Sequence, residues 1–360
     1  MDGMDVRLPN HWYVACRADD LGRRRPLART VLGRPMALFR DEDGRAAAVV
    51  DRCPHRNTPL SIGNVCSGQL QCAYHGWRFD GSGACRLVPG LVGEDPDRRA
   101  RRVDTFPAVE QDGFVWVWPV AGGGPGSPAA GAPPFRFPHV DEPGYTTVRR
   151  SLSVDAGLHA ALENTLDVPH TAFLHGGLFR GGRPPVDIDV VVRHTADGVE
   201  AEYLGEPRPP GLAGRILAPE GGVVTHVDRF LMPSIAQVEY RLGPNHLVTT
   251  TAFTPAGEGV TDLHAAVIFR LRVPAGLVKA VVTPVANRIF AQDKAILREQ
   301  SENVRRFGGE QYASTELDVL GQHILRLLRR AERGESSDGD GDGPGTNGGR
   351  PADRRFTMRV

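Results

Sequence analysis

Residues 53–77 read CPHRNTPLSIGNVCSGQLQCAYHGW. Cys53-Pro54-His55 opens the stretch, and sixteen residues later comes Cys72-Ala73-Tyr74-His75. Each loop offers one thiolate and one imidazole. Two Cys and two His can hold tetrahedral zinc, or a [2Fe-2S] cluster with both histidines on one iron. A zinc finger draws its two cysteines from one knuckle and its two histidines from a helix, so each piece is of one kind. Here each loop is mixed. That suits a cluster in which one iron takes Cys53 and Cys72 and the other takes His55 and His75. Cys66 and Cys85 flank the pattern but stand outside its spacing, and with Cys16 they read as buried free thiols.

Around this stretch, the first 120 residues read as short strands: Trp12–Cys16, one within Arg29–Phe39, Ala46–Val50 after the turn Asp41-Glu42-Asp43-Gly44, and Phe114–Trp118. Residues 121–134, AGGGPGSPAAGAPP, read as a flexible connector. Beyond it Leu158–Leu174 is helical in pattern, with Pro169 near its end. Runs at Val186–Arg193, Val223–Met232, Ile235–Arg241, Leu247–Phe253 and Leu263–Leu271 suggest a meandering antiparallel sheet. Helical patterns resume from Pro284, suited to a first turn, to about Phe307, and again over 317–333. The expected class is α+β: an all-β domain over 1–120, the connector 121–134, a sheet-and-helix domain over 135–333, and a disordered tail 334–360 that begins with the low-complexity stretch 334–353.

With 43 Lys+Arg against 43 Asp+Glu the chain is formally neutral, which argues against a general binder of nucleic acid or anionic membranes. No run approaches the length of a membrane span. Met1-Asp2-Gly3-Met4-Asp5 lacks the basic-then-apolar layout of a signal peptide. Five cysteines do not suggest a secreted disulfide framework, so the cytoplasm is the expected compartment.

A second metal site is suggested downstream. Residues 163–175 read ENTLDVPHTAFLH. On a regular helix His170 and His175 would stand about 140° apart, so both reach one ion only if the helix deforms or ends there, as Pro169 allows. The late helix offers a third ligand. Val285, Ile289, Phe290, Ile296 and Leu297 fall on one arc, and Asp293 sits in its middle. A carboxylate there must be paired, protonated or metal-bound; a salt bridge to a buried Arg is the alternative. Two histidines and one carboxylate make a facial triad for Fe(II) with positions open for O2. Phe173, Leu174, Leu178 and Phe179 are candidates for lining a substrate cavity, or for ordinary core packing.

Cys53-x-His55…Cys72-x2-His75 resembles the Rieske motif. Arg56, Tyr74 and Gly76-Trp77 are similar to the Rieske domain of the ring-hydroxylating oxygenases. Respiratory-type Rieske proteins carry a further cysteine in each loop; here the corresponding residues are Arg56, Asn57, Thr58 and Ala73, Tyr74. Glu163-Asn164-x2-Asp167-x2-His170-x4-His175 and Gln292-Asp293 resemble the iron-binding segments of the same family, so the resemblance spans about 10–330. Its shorter monooxygenase and demethylase-like members are the nearest in layout.

The resemblance implies an N-terminal all-β Rieske domain and a C-terminal, helix-grip-like antiparallel sheet with helices. It implies a [2Fe-2S] cluster on Cys53, His55, Cys72 and His75, and Fe(II) on His170, His175 and Asp293. Asp167 would bridge His170 to His75 of a neighbouring subunit in a homotrimer, with Asn164 facing the iron region. The activity implied is that of a terminal oxygenase. It would use O2 and electrons from NAD(P)H, through a flavin reductase with or without a ferredoxin, to hydroxylate or oxidatively demethylate a small apolar aromatic or alicyclic ring. A Rieske electron carrier without oxygen chemistry, and a desaturating or dihydroxylating member, are the alternatives. The glycine clusters at 122–126 and 339–345 lack the strand and helix of a dinucleotide site, hence the separate reductase. Asp338-Gly339-Asp340 imitates a calcium loop, but Gly349 stands where Glu is required.

Overall fold

The computed structural model describes residues 6–122, 132–176, 186–207, 224–271, 275–335 and 353–359. The chain forms two compact units, one of Arg7–Arg136 with Thr254–Glu258, the other of Phe137–Phe253 and Gly259 onward. Apart from Gly122, the glycine clusters lie outside the described residues, as do the core of the connector, Leu178 and Phe179, and most of the expected tail.

The first unit holds three small sheets. Strands β1 (Tyr13–Arg17), β10 (Ala108–Gln111) and β11 (Phe114–Val117) form one; β2 (Leu27–Val31), β3 (Arg34–Arg40), β4 (Ala46–Val50) and β9 (Thr105–Phe106) form the second. The third is β5 (Asn64–Cys66), β6 (Gln69–Gln71), β7 (Arg78–Phe79) and β8 (Cys85–Leu87). The run Arg29–Phe39, expected to hold one strand, contributes to two. Leu32 (φ 50°) and Gly33 (φ 73°) both take the left-handed region, as a tight hairpin turn requires.

Strand β3 is buried on both faces. Met36 and Leu38 pack with Tyr13, Val31, Val115 and Val117. Ala37 and Phe39 pack on the opposite side with Leu60, Leu70, Phe79 and, notably, Cys53 and Cys72. Successive residues of a strand point to opposite faces, so β3 serves two cores. The second of these roots both cysteines of the opening motif.

Two features of this unit differ from expectation. The end of the connector is held in place: Trp12 Nε1 donates to the Ala132 carbonyl at 2.7 Å, and Gln111 Nε2 to the Phe135 carbonyl at 2.9 Å. Unpaired backbone carbonyls in a linker are ready acceptors for such side chains. Residues 254–258 also belong here, because Leu32 N donates to the Pro255 carbonyl at 2.7 Å and Thr254 Oγ1 to the Val14 carbonyl at 2.7 Å.

The second unit is built on an eight-stranded sheet. Its strands are β12 (Thr146–Val154), β13 (Asp187–His194), β14 (Gly198–Leu204), β15 (Thr225–Leu231), β16 (Ile235–Leu242), β17 (Asn245–Gly257), β18 (Val260–Arg270) and β19 (Arg354–Arg359). The order is β12-β18-β17-β16-β15-β14-β13-β19. Strands β13 to β17 meander antiparallel, while β12 closes one edge against β18 and β19 the other against β13. The helices are α1 (Leu158–Leu166), α2 (His170–Phe173), α3 (Ala275–Phe307) and α4 (Gly321–Glu332). The α+β class expected from the sequence is thus the one observed.

Strand β19 corrects the expectation of a disordered tail over 334–360. Arg355, Thr357 and Arg359 alternate with Phe356 and Met358. The first three reach Asp189 and Asp187, and Met358 is buried. That period of two is a strand signal outweighed, in a compositional reading, by the glycines before it. Helix α3 also begins earlier than expected, at Ala275, with Pro284 inside it. An interior proline costs about 3 kcal/mol locally; α3 nevertheless continues through it and packs against β12 and α1.

Candidate metal centres

The two cysteine–histidine loops share one backbone design. Cys53 N donates to the Thr58 carbonyl at 2.9 Å, and Asn57 N donates back to the Cys53 carbonyl at 2.9 Å. Cys72 N donates to the Trp77 carbonyl at 2.8 Å, and Gly76 N to the Cys72 carbonyl at 3.1 Å. In both loops the fourth residue after the cysteine turns left-handed: Asn57 at φ 60° and Gly76 at φ 71°. Asn tolerates that region and Gly favours it. Arg52 Nε donates to Asn57 Oδ1 at 2.7 Å and steadies the first turn. At Gly76 a Cβ would stand 3.2 Å from Pro89 Cγ.

These turns bring His55 and His75 together with ring centroids 4.4 Å apart. The Trp77 ring stacks on His55 at 4.7 Å, with 5° between the planes. Cys53 and Cys72 are buried and unbridged, and burial pushes the Cys53 thiol up to about 11. The buried Nδ1 of His55 has no hydrogen-bond partner among the described residues. A lone pair left so inside a polar loop is costly unless something accepts it, and a bound metal would. His75 and Tyr74 are exposed.

In the second unit α1 buries Leu158, Leu162 and Leu166 at a spacing of one helical turn. Asp167 then leaves it in extended conformation (φ −84°, ψ 117°). Val168 precedes a proline, which disfavours continued helix, and the chain restarts at Pro169 as the four-residue α2. Hence the 140° problem does not arise, because His170 opens α2 and His175 lies beyond its end. Asp167 meets His170 across this break: its Oδ2 accepts from both the backbone N and the ring Nδ1 of His170, each at 3.2 Å.

Three donor atoms converge. His170 Nε2 and His175 Nε2 are 3.3 Å apart; Asp293 Oδ1 is 3.1 Å from the second and 3.8 Å from the first. Atoms held at about 2.1 Å from one metal stand about 3.0 Å apart at a right angle and about 3.4 Å apart at a tetrahedral one. The spacings of 3.1 and 3.3 Å fall in that range, and the 3.8 Å one opens the angle at a shared ion to about 130°, so all three atoms can reach one ion, with the two imidazole planes 76° apart. Asp293 Oδ1 is buried and makes no hydrogen bond among the described residues, a second orphan that a cation would satisfy. Burial raises Asp293 above the usual carboxylate range despite the two histidines. Burial would lower His170, but the bond and charge of Asp167, with Asp293, hold it above its ordinary value. The Asn164 amide, on α1, favours the ionised form of Asp293.

The apolar arc of α3 is only partly as expected. Leu297 is buried, but Ile296 is exposed. Phe173, a candidate cavity residue, is 90% exposed. Sequence reasoning gave Gln292 no role beyond its place in the Gln292-Asp293 match, and it missed His226. Gln292 accepts a hydrogen bond from His175 Nδ1 at 3.0 Å. His226, buried on β15, is held by Glu206 Oε2 at 2.6 Å and Asp228 Oδ1 at 2.9 Å. The strand alternation of residues 198–204 was the available signal for β14, whose pairing with β15 brings this cluster together.

Residues 11–107 match the family model of the Rieske [2Fe-2S] domain, and residues 154–334 that of the vanillate O-demethylase oxygenase C-terminal domain. The oxygenase component of dicamba O-demethylase from Stenotrophomonas maltophilia is 42% identical over 166 residues, 46% of this chain and 47% of that protein. The matched part thus spans about half the length of that relative. The vanillate O-demethylase oxygenase subunit of Pseudomonas sp. (strain HR199 / DSM 7063) is 26% identical across 92% of this chain and 96% of its own. Among solved structures, dicamba monooxygenase bound to 3,6 dichlorosalicylic acid superposes with a TM-score of 0.78 at 26% identity, covering 92% of this chain and 99% of the other.

Proposed function

Because this chain belongs to the family of the vanillate O-demethylase oxygenase C-terminal domain and carries a Rieske [2Fe-2S] domain ahead of it, we propose that it is the terminal oxygenase of a multicomponent system that demethylates or hydroxylates a small ring compound. Oxidative O-demethylation of an aromatic methyl ether is the leading case. Its balance is one ether, O2, NAD(P)H and a proton giving one phenol, formaldehyde, water and NAD(P)+. The observation that carries the proposal is the convergence of His170 Nε2, His175 Nε2 and Asp293 Oδ1 on one point. A simple Rieske electron carrier has no use for such a set.

Cys53, Cys72, His55 and His75 would hold the [2Fe-2S] cluster, and His170, His175 and Asp293 the Fe(II). When bound, the cluster supplies electrons singly and the iron activates O2 toward the ring or methyl carbon. The chain's own residues then have distinct tasks. Asp167 fixes the proton of His170 on Nδ1, so that Nε2 keeps its lone pair for the metal. Asn164 favours the ionised Asp293 carboxylate. His75 is exposed and the Asp167 side chain retains 26% exposure, so each is open to another copy of the chain. In a homotrimer His75 of one copy would donate to Asp167 of the next. Reducing equivalents would come from NAD(P)H through a flavin reductase, directly or by a ferredoxin. Five unbridged thiols suit the reducing cytoplasm.

The test supplies the holoprotein with a reductase, NADH and 18O2 over a panel of aryl methyl ethers. Formaldehyde released with a matching phenol supports the proposal. NADH-coupled reduction of the cluster, without oxygen incorporation or methyl loss on any ring substrate, would refute it in favour of a carrier.

A further inference from the structure

We propose that Gln292 is a positioning residue that sets which nitrogen of His175 faces the metal. The proposal rests on the metal site described above and adds a residue to it. Imidazole can carry its proton on either nitrogen, and only the bare one can bind a metal. His175 is 2% exposed, so water does not fix that choice. Its Nδ1 stands 3.0 Å from Gln292 Oε1, and a carbonyl oxygen can only accept. The proton therefore resides on Nδ1, and the lone pair of Nε2 is directed at His170 Nε2 and Asp293 Oδ1, 3.3 and 3.1 Å away. Turning the amide over would donate a proton to Nδ1, move the ring proton to Nε2, and block the point where the three donors meet.

The two histidines are thus oriented by partners of unlike charge. His170 is held by the carboxylate of Asp167, and His175 by the neutral amide of Gln292. The charge balance gives this difference a reason. Asp293 and Asp167 together match a divalent cation, with both imidazoles neutral. A carboxylate at 292 would leave the site with a surplus negative charge, whereas an amide supplies the acceptor without it. Gln292 and Asp293 are consecutive on α3, about 100° apart around the helix. One residue therefore binds and the next aims the other ligand, from two sides of the same imidazole.

The test uses protein that retains its [2Fe-2S] cluster after chelation of the mononuclear metal, titrated with Co(II). Affinity is read by calorimetry, coordination by the EPR of the bound Co(II), and integrity of the fold by the cluster absorption. Gln292→Met keeps the side-chain length and removes the oxygen; Gln292→Glu restores an acceptor; His175→Ala is the control. Orienting partners of metal-bound histidines are worth about 10–100-fold in affinity. Gln292→Met should therefore bind Co(II) about 10–100-fold more weakly, with an altered EPR signature, and Gln292→Glu should recover to within a few-fold of the native protein. Native affinity and signature in Gln292→Met would overturn the assignment, as would a Gln292→Glu protein as weak as Gln292→Met. If Gln292→Met loses its cluster, Gln292→Leu takes its place under the same criteria. If the native protein takes up no Co(II), or His175→Ala takes it up equally well, the metal site itself falls, which is a separate outcome.

Discussion

Replacing His226 with Gln should remove a pH-dependent part of the stability of the second unit. His226 is 1% exposed, between the carboxylates of Glu206 and Asp228, with the Tyr203 and Tyr240 rings stacked on its two faces at 4.5 and 4.2 Å. The three rings form one row across the sheet, since Tyr203 pairs with His226 and His226 with Tyr240. Burial favours the neutral ring, but Asp228 and Glu206 outweigh it and raise His226 from 6.5 to about 9. That gap corresponds to about 3 kcal/mol. A histidine raised on folding contributes in full below pH 6.5 and loses that contribution as the pH climbs through 9. The substitution also takes the charged partner away from two buried carboxylates, and breaking a buried pair costs about 3–5 kcal/mol. Urea unfolding followed by circular dichroism at pH 6.5 and 9.5 provides the assay. The native protein should lose about 3 kcal/mol more than His226→Gln between the two values. Equal losses would refute the assignment of a charged, clasped imidazole.

Asp167→Asn should leave both metals bound yet slow product formation in a single turnover of the reduced protein by about 10–100-fold, the worth of one charge-assisted hydrogen bond; an unchanged rate would dismiss the relay. Gly76→Ala should weaken the first unit by about 1–2 kcal/mol, read as bleaching of the cluster at lower temperature, because φ is 71° there and the new Cβ would crowd Pro89. Deleting residues 354–360 should lower the unfolding midpoint of the second unit, since burial of a side chain such as Met358 is worth about 1.5–3 kcal/mol; an unmoved midpoint would make β19 dispensable.

How much of this was legible beforehand follows the distance over which each signal acts. The cysteine–histidine loops could be read directly, because all four proposed ligands lie within residues 53–75 and each loop closes on itself by two local backbone bonds. Asp293 was legible as a carboxylate on an apolar arc. The geometry joining it to His170 and His175 was not, because it depends on where α1 stops, and that was decided by Val168 preceding a proline. Gln292 was marked only by its place in the Gln292-Asp293 match; its contact with His175 acquires meaning only when the imidazole opposite is placed. The Glu206–His226–Asp228 cluster depends on β14 pairing with β15 across a long connection. Strand β19 shows the opposite failure. Its alternation was local and readable, but composition was given more weight than period.

The central claim is that one chain holds two kinds of metal centre at the residues named. Iron and protein determined together on anaerobically reconstituted material, native and Asp293→Ala, test it most directly. The account predicts three irons per chain in the native protein and two in the variant, with the visible absorption of the cluster the same in both. Two irons in the native protein, or three in Asp293→Ala, would contradict it.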